Sequence, residues 1–152
     1  MIPLIAHRMD RESESFLVCV ADADGRYCEA IGALLSLEGL SVIAVSTADE
    51  LSAQLCARLP SVLILDAAVA GARFAATIDD LRRRYPGLAV IVTVPHTADS
   101  NCFVQLVAAG AWTVFAKPID AGFLISAIHR CHLAAGAKNL QREDGQHDGD
   151  GR

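Results

Sequence analysis

Val62-Leu63-Ile64-Leu65-Asp66 is the stretch that decides the fold. Four apolar residues in succession, closed by one carboxylate, read as a strand buried on both faces that delivers an acid to its carboxyl end. In open α/β sheets ligands bind outside the carboxyl ends of the strands, so Asp66 stands where chemistry is done. The competing reading is that Asp66 only caps a turn or a helix start, a common role for aspartate. Two other apolar runs end in the same way and weigh against it. Phe16–Val20 leads into Ala21-Asp22-Ala23-Asp24-Gly25, and Trp112–Phe115 leads into Ala116-Lys117-Pro118.

Outward from that strand, apolar residues change period. Cys28, Ile31, Leu34 and Leu35 recur at helical spacing between Tyr27 and Leu37, and Gly39 ends that helix by tolerating positive φ. Val42–Val45 is a second strand. Ser46-Thr47-Ala48-Asp49-Glu50 then starts a helix carrying Leu51, Leu55 and Leu59 as far as Pro60. After the central strand, Ala67–Gly71 reads as a loop of small residues, followed by a helix from Phe74 to Tyr85 that Pro86-Gly87 breaks. Leu88–Val94 is the fourth strand. Asp99 or Ser100 caps a helix closed by Gly110, and Asp120 opens a last helix expected to end at Gly136.

Strands alternating with helices through short loops predict one doubly wound parallel α/β domain. Its expected limits are residues 15–136, between a flexible arm over 1–14 and a disordered polar tail over 137–152. The chain of 152 residues is 53% hydrophobic with net charge −5. That balance excludes a nucleic-acid surface, which needs a basic stripe. Arg82-Arg83-Arg84 reads as the solvated end of a helix. The five cysteines form no CxxC pair and read as small buried hydrophobes in a reducing cytosol. No apolar run reaches the length of a membrane span, and no secretory signal opens the chain, so a cytoplasmic protein is expected.

The strands therefore bring Asp22, Asp24, Asp66 and Lys117 to one edge of the sheet. Clustered carboxylates repel unless a cation joins them, and an open site of hard oxygen ligands suits Mg²⁺. Lys117 adds a positive charge suited to a phosphate oxygen. A metal, an ammonium and one free carboxylate are what phosphoryl transfer onto aspartate requires.

With these pieces in place, residues 15–135 resemble the receiver domain of two-component response regulators, the CheY-like family. The resemblance rests on Val20-Ala21-Asp22-Ala23-Asp24, Glu38-Gly39-Leu40, Leu63-Ile64-Leu65-Asp66 with Gly71 behind it, and Ala109-Gly110-Ala111 leading to Lys117-Pro118. It implies a flavodoxin-like, CheY-like sheet with strand order 2-1-3-4-5. It further implies that Asp66 is the phospho-acceptor, that Asp22 opens the metal-binding pair, and that Lys117 contacts the phosphoryl group. The Lys117–Pro118 bond would be cis, and the backbone carbonyl of Ala68 would complete the Mg²⁺ site.

Three positions depart from the family pattern. The second acid falls at Ala23, with Asp24 as a substitute ligand. The strand-four hydroxyl falls at Pro95 by ungapped spacing, so Thr93 or Thr97 serves only if the alignment shifts, and His96 is a further substitute. The switch aromatic falls at Val114, while Phe115 is one residue off and is expected to face the other way. The hydroxyl-aromatic switch is therefore expected to be broken.

The functional expectation is a stand-alone receiver, not an enzyme beyond its own phosphorylation and dephosphorylation. A histidine kinase or histidine phosphotransfer protein would supply phosphate, and a downstream effector protein would receive the signal. The fourth helix, fifth strand and fifth helix form the expected docking or homodimer face, with Trp112 and Phe115 as candidate anchors. Two alternatives stay open. One is a pseudo-receiver acting as a phosphorylation-independent binding module. The other is a haloacid dehalogenase-like phosphatase, resembled by Val18–Gly25, with Asp22 as nucleophile and Asp24 as general acid. His129 and His132 lie on the last helix but lack the further ligands a structural zinc site needs.

Overall fold

The computed structural model describes residues 16–147, so the expected arm over 1–14 and the end of the tail lie outside the described residues. In chain order the elements are β1 (Leu17–Ala21), α1 (Gly25–Leu37), β2 (Ser41–Val45), α2 (Ala48–Ala57) and β3 (Val62–Asp66). A helical turn over Ala67–Ala70 follows, then α3 (Phe74–Arg84), β4 (Ala89–Val94), α4 (Ser100–Ala109), β5 (Thr113–Ala116) and α5 (Ala121–His147). The sheet is parallel with order β2-β1-β3-β4-β5, as the sequence led us to expect.

The central strands are apolar throughout because helices cover both faces. Val18, Val20, Val62, Ile64 and Ile91 pack with Cys28, Ile31 and Leu35 of α1 and with Leu124, Ala127 and Ile128 of α5. The alternate residues Cys19, Leu63, Leu65, Val90 and Val92 pack on the other side with Leu51 and Leu55 of α2, Ile78 and Leu81 of α3, and Leu106 of α4. All five residues of β1 and of β3 are buried. The period of two along each strand thus sorts side chains into two apolar layers, and it also fixes which polar residues share a face beyond the strand ends.

Helix ends follow the local chemistry. Asp24, Thr47 and Asp99 are the N-caps of α1, α2 and α4, each accepting backbone N–H bonds of the first turn. Asp120 accepts the Phe123 amide at the start of α5. Gly110 closes α4 at φ 110, and a Cβ there would run into the Arg82 side chain. Arg83 and Arg84 pair with Asp79 and Asp80 one turn earlier on the exposed face of α3.

Two expectations are corrected. Ala67–Gly71 is not all loop: Ala67–Ala70 forms a helical turn that Gly71 ends at φ 87. Nor does Gly136 end the last helix, which runs on through the expected tail to His147. Glycine weakens a helix interior by about 1 kcal/mol relative to alanine and stops it only by adopting positive φ. Gly136 is not among the positive-φ glycines. The residues after it include Lys138, Leu140, Gln141, Arg142 and Glu143, all good helix formers.

Candidate functional site at the carboxyl ends of the strands

Register carries the polar residues to one place. Val20 is paired with Ile64, so Asp22 and Asp66, two residues further on, emerge on the same face. Asp66 is in register with Thr93, and Thr93 with Phe115. Lys117 follows two residues after Phe115, and its bond to Pro118 is cis. One face of three central strands and an edge strand therefore presents two acids, a hydroxyl, an aromatic ring and an amine.

Asp66 is buried. It occupies the N-cap position of the turn Ala67–Ala70, yet its side chain makes no capping bond. Instead its Oδ1 accepts from Thr93 Oγ1 at 3.1 Å and lies 3.3 Å from Lys117 Nζ. The capping explanation of Asp66 fails on that geometry. Both contacts fall on Oδ1, which leaves Oδ2 to react. Asp22 is more deeply buried: its Oδ1 accepts from the Asp24 amide at 2.9 Å and its Oδ2 from Lys117 Nζ at 2.5 Å.

Lys117 therefore bridges the two carboxylates, and its Nζ also lies 4.3 Å from the ring centroid of Tyr27. Burial alone would lower the lysine pKa. The hydrogen bond to Asp22 and the charge of Asp66 outweigh it, and the ammonium is held above its ordinary value. Tyr27 is pushed up to about 12, chiefly by burial, with Lys117 opposing and the two acids adding to the rise.

Asp24 does not join this cluster. Its Oδ1 accepts from the Arg26 and Tyr27 amides at 3.1 and 3.4 Å, so its carboxylate serves the start of α1 and not a shared ligand set with Asp22. Side chains two apart after a strand leave on different courses. That weighs against Asp24 as a metal ligand, and it occupies the residue the phosphatase reading needs as an acid. Among the described residues no three acidic, histidine or cysteine side chains converge in a metal-ligating group.

The oxygen donors that would hold a cation here are the carboxylates of Asp22 and Asp66 and the backbone carbonyl of Ala68, an exposed residue of the adjoining turn. The set is oxygen-only. That fits Mg²⁺, which takes one or two carboxylates and keeps several waters. It would be a site poorer by one carboxylate than a paired-acid site, because Ala23 supplies none.

The hydroxyl and the aromatic correct two further expectations. Thr93, not Pro95, stands at Asp66, and His96 and Thr97 are exposed in the loop beyond. Phe115 faces the same layer as Thr93, while Val114 packs into the opposite one. Ungapped spacing along the chain misplaces both; strand register places them side by side. Tyr27 was not singled out by sequence, although its place three residues after the cap Asp24 puts it in the first turn of the helix that follows β1. His129 and His132 are exposed on α5, the latter edge-on to Phe16 at 4.5 Å.

A cleft of about 530 Å³ opens among Pro60, Arg82, Leu88, Gly110 and Trp112. It includes no acidic residue and none of the strand-end cluster.

The model of the response regulator receiver domain matches residues 18–129. The DNA-binding transcriptional regulator NtrC of Salmonella typhimurium is 26% identical over 114 residues, which cover 75% of this chain and 24% of that protein. NtrX from Brucella abortus, crystallised with ADP, superposes with a TM-score of 0.78 at 24% identity, covering 88% of this chain and 30% of that one. The isolated receiver domain of the same NtrX gives 0.68 at 26% identity, over 76% and 97% of the two chains. This chain thus spans less than a third of the length of full NtrC or NtrX.

Proposed function

Because this chain belongs to the response regulator receiver domain family, we propose that it accepts a phosphoryl group on Asp66 from a histidine kinase or histidine phosphotransfer protein. The observation that carries the reading is the Asp66 carboxylate, uncommitted to any cap and flanked on one oxygen by Thr93 and Lys117. Asp66 Oδ2 attacks phosphorus, the bond from phosphorus to the imidazole nitrogen breaks, and the imidazole leaves with the electron pair. Lys117 and the Thr93 hydroxyl lie where the new phosphoryl oxygens need a charge and a donor. Mg²⁺ held by Asp22, Asp66 and the Ala68 carbonyl would supply further charge neutralisation. The protein is in this account a phosphoryl acceptor with self-dephosphorylation, not an enzyme acting on a separate substrate.

Output is through protein contact. Val104 and Val107 of α4, Trp112 before β5 and Phe123 of α5 are exposed, at 65%, 58%, 44% and 67%. This face would dock an effector or a second copy of the chain. Thr93 and Phe115, side by side, would couple it to Asp66. No helix of the described residues is long and apolar enough to cross a membrane, and a cytoplasmic location is part of the proposal.

The pseudo-receiver reading draws on one specific observation, the lysine bridge across a site short of one acid. Beryllofluoride, a mimic of the phosphoryl group, separates the two. With Mg²⁺ present it should shift the amide resonances of Asp66, Thr93 and Lys117 in the wild type and leave Asp66→Ala unchanged. A wild-type spectrum that does not respond would remove the acceptor reading.

A further inference from the structure

We infer that Tyr27 is a positioning residue, whose ring clamps Lys117 between Asp22 and Asp66 so that the lysine competes with a divalent cation for the Asp22 carboxylate. The inference rests on the acceptor site proposed above but concerns a residue to which that reading gives no role.

An ammonium has three N–H donors. In this site one is directed to Asp22 Oδ2 at 2.5 Å, Asp66 Oδ1 lies 3.3 Å away as an ion-pair partner, and the ring of Tyr27 stands 4.3 Å from the nitrogen. Two carboxylates and one aromatic face thus enclose the cation on three sides. The ring is well suited to this because its face is the negative end of its quadrupole, and the attraction grows as water is excluded. Lys117 is only 27% exposed.

Tyr27 does not hold this place for the sake of its hydroxyl. The hydroxyl oxygen is buried and has no hydrogen-bond partner among the described residues, an arrangement that costs free energy and that phenylalanine would avoid. The ring is anchored from two directions. Its backbone amide joins the Asp24 cap, and its side chain packs against the apolar layer between the sheet, α1 and α5. The consequence concerns charge. With Ala23 in place of a second acid, the site contains two carboxylates and one clamped ammonium. The lysine is already the counter-ion of Asp22, so Mg²⁺ must displace it from Oδ2 to gain that ligand.

The test uses the full chain, Tyr27→Phe, Tyr27→Leu and Lys117→Met, with two measurements on each. The first is the chemical shift of the Lys117 ε-methylene protons without metal. Ring current should move them upfield in the wild type and in Tyr27→Phe, and Tyr27→Leu should return them to the ordinary lysine position. The second is a Mg²⁺ titration followed on the Asp24 amide, which donates to Asp22. Tyr27→Phe should match the wild type. Tyr27→Leu should bind Mg²⁺ about three- to thirtyfold more tightly, the range expected for loss of a partly desolvated cation–π contact, and Lys117→Met should tighten it further.

An ordinary ε-methylene shift in the wild type would overturn the clamp whatever the metal does. Equal or weaker Mg²⁺ binding by Tyr27→Leu would overturn the competition. If Tyr27→Phe behaves like Tyr27→Leu, the hydroxyl and not the ring is responsible, and the inference is wrong. Failure of the acceptor reading shows elsewhere, in the beryllofluoride response of Asp66.

Discussion

Replacing Lys117 with methionine removes the cation and keeps most of the apolar stem. The variant leaves two carboxylates facing each other, Asp22 with 4% and Asp66 with 11% of the side chain exposed. Removing one partner of a buried ion pair costs about 3–5 kcal/mol, because the remaining charge stays desolvated. Lys117 is not fully buried, and solvent screening lowers the figure to about 2–3 kcal/mol. For a chain of this length, each kcal/mol moves the midpoint of thermal unfolding by roughly 2–4 °C, so Lys117→Met should melt about 4–12 °C lower. The assay is urea and thermal denaturation of the wild type, Lys117→Met, Asp22→Asn and the double variant at neutral pH without divalent metal. Asp22→Asn keeps an acceptor for the Asp24 amide and removes one charge, so in the double variant most of the loss from Lys117→Met should be recovered. The coupling should lie within the range of about 0.5–3 kcal/mol seen for residues in contact. Additive effects, or a Lys117→Met variant as stable as the wild type, would refute the bridge.

Three further outcomes follow from single features. Asp24→Ala should cost about 1 kcal/mol of stability in urea through loss of the α1 cap and leave Mg²⁺ affinity unchanged; a loss of Mg²⁺ binding with unchanged stability would restore Asp24 as a ligand. Gly110→Ala should cost about 1–2 kcal/mol, because φ 110 disfavours any Cβ and Arg82 must move aside; an unchanged urea midpoint would contradict it. Stability should fall as pH rises above 9. Burial raises Cys19 and Cys131 from 9.0 to about 11 and Tyr27 from 10.0 to about 12, and Lys117 is raised above 10.5. Each group keeps its proton longer in the fold than in the unfolded chain, so its contribution is complete below the unfolded value and lost as pH climbs through the folded one. Urea midpoints that hold steady or increase between pH 9 and 12 would contradict this.

The strand-end acids were legible because a buried parallel strand has one apolar signature and one polar exit, as in Val62–Asp66 and Phe16–Asp22. The order of the sheet followed from the family resemblance. What sequence misjudged has a common cause. Counting along the chain puts the hydroxyl at Pro95 and the aromatic at Val114, whereas sheet register is set by pairing across it: Asp66 meets Thr93 and Thr93 meets Phe115 whatever the loop lengths. Asp24 is grouped with Asp22 on charge and nearness, although an acid four residues before Cys28 and directly before Gly25-Arg26-Tyr27 is also a helix cap. The role of Tyr27 depends on Lys117, in the loop after β5, reaching back to the first turn of α1, which local spacing does not disclose. Gly136 was read as a stop because glycine often is one, but only its φ decides that.

The most direct test of the account is the intact mass of the protein after incubation with a small phosphodonor and Mg²⁺, beside Asp66→Asn and Asp22→Asn. One phosphate adduct is expected on the wild type, none on Asp66→Asn and a reduced yield on Asp22→Asn. An adduct that survives in Asp66→Asn and disappears in Asp22→Asn, or no adduct on the wild type, would contradict it.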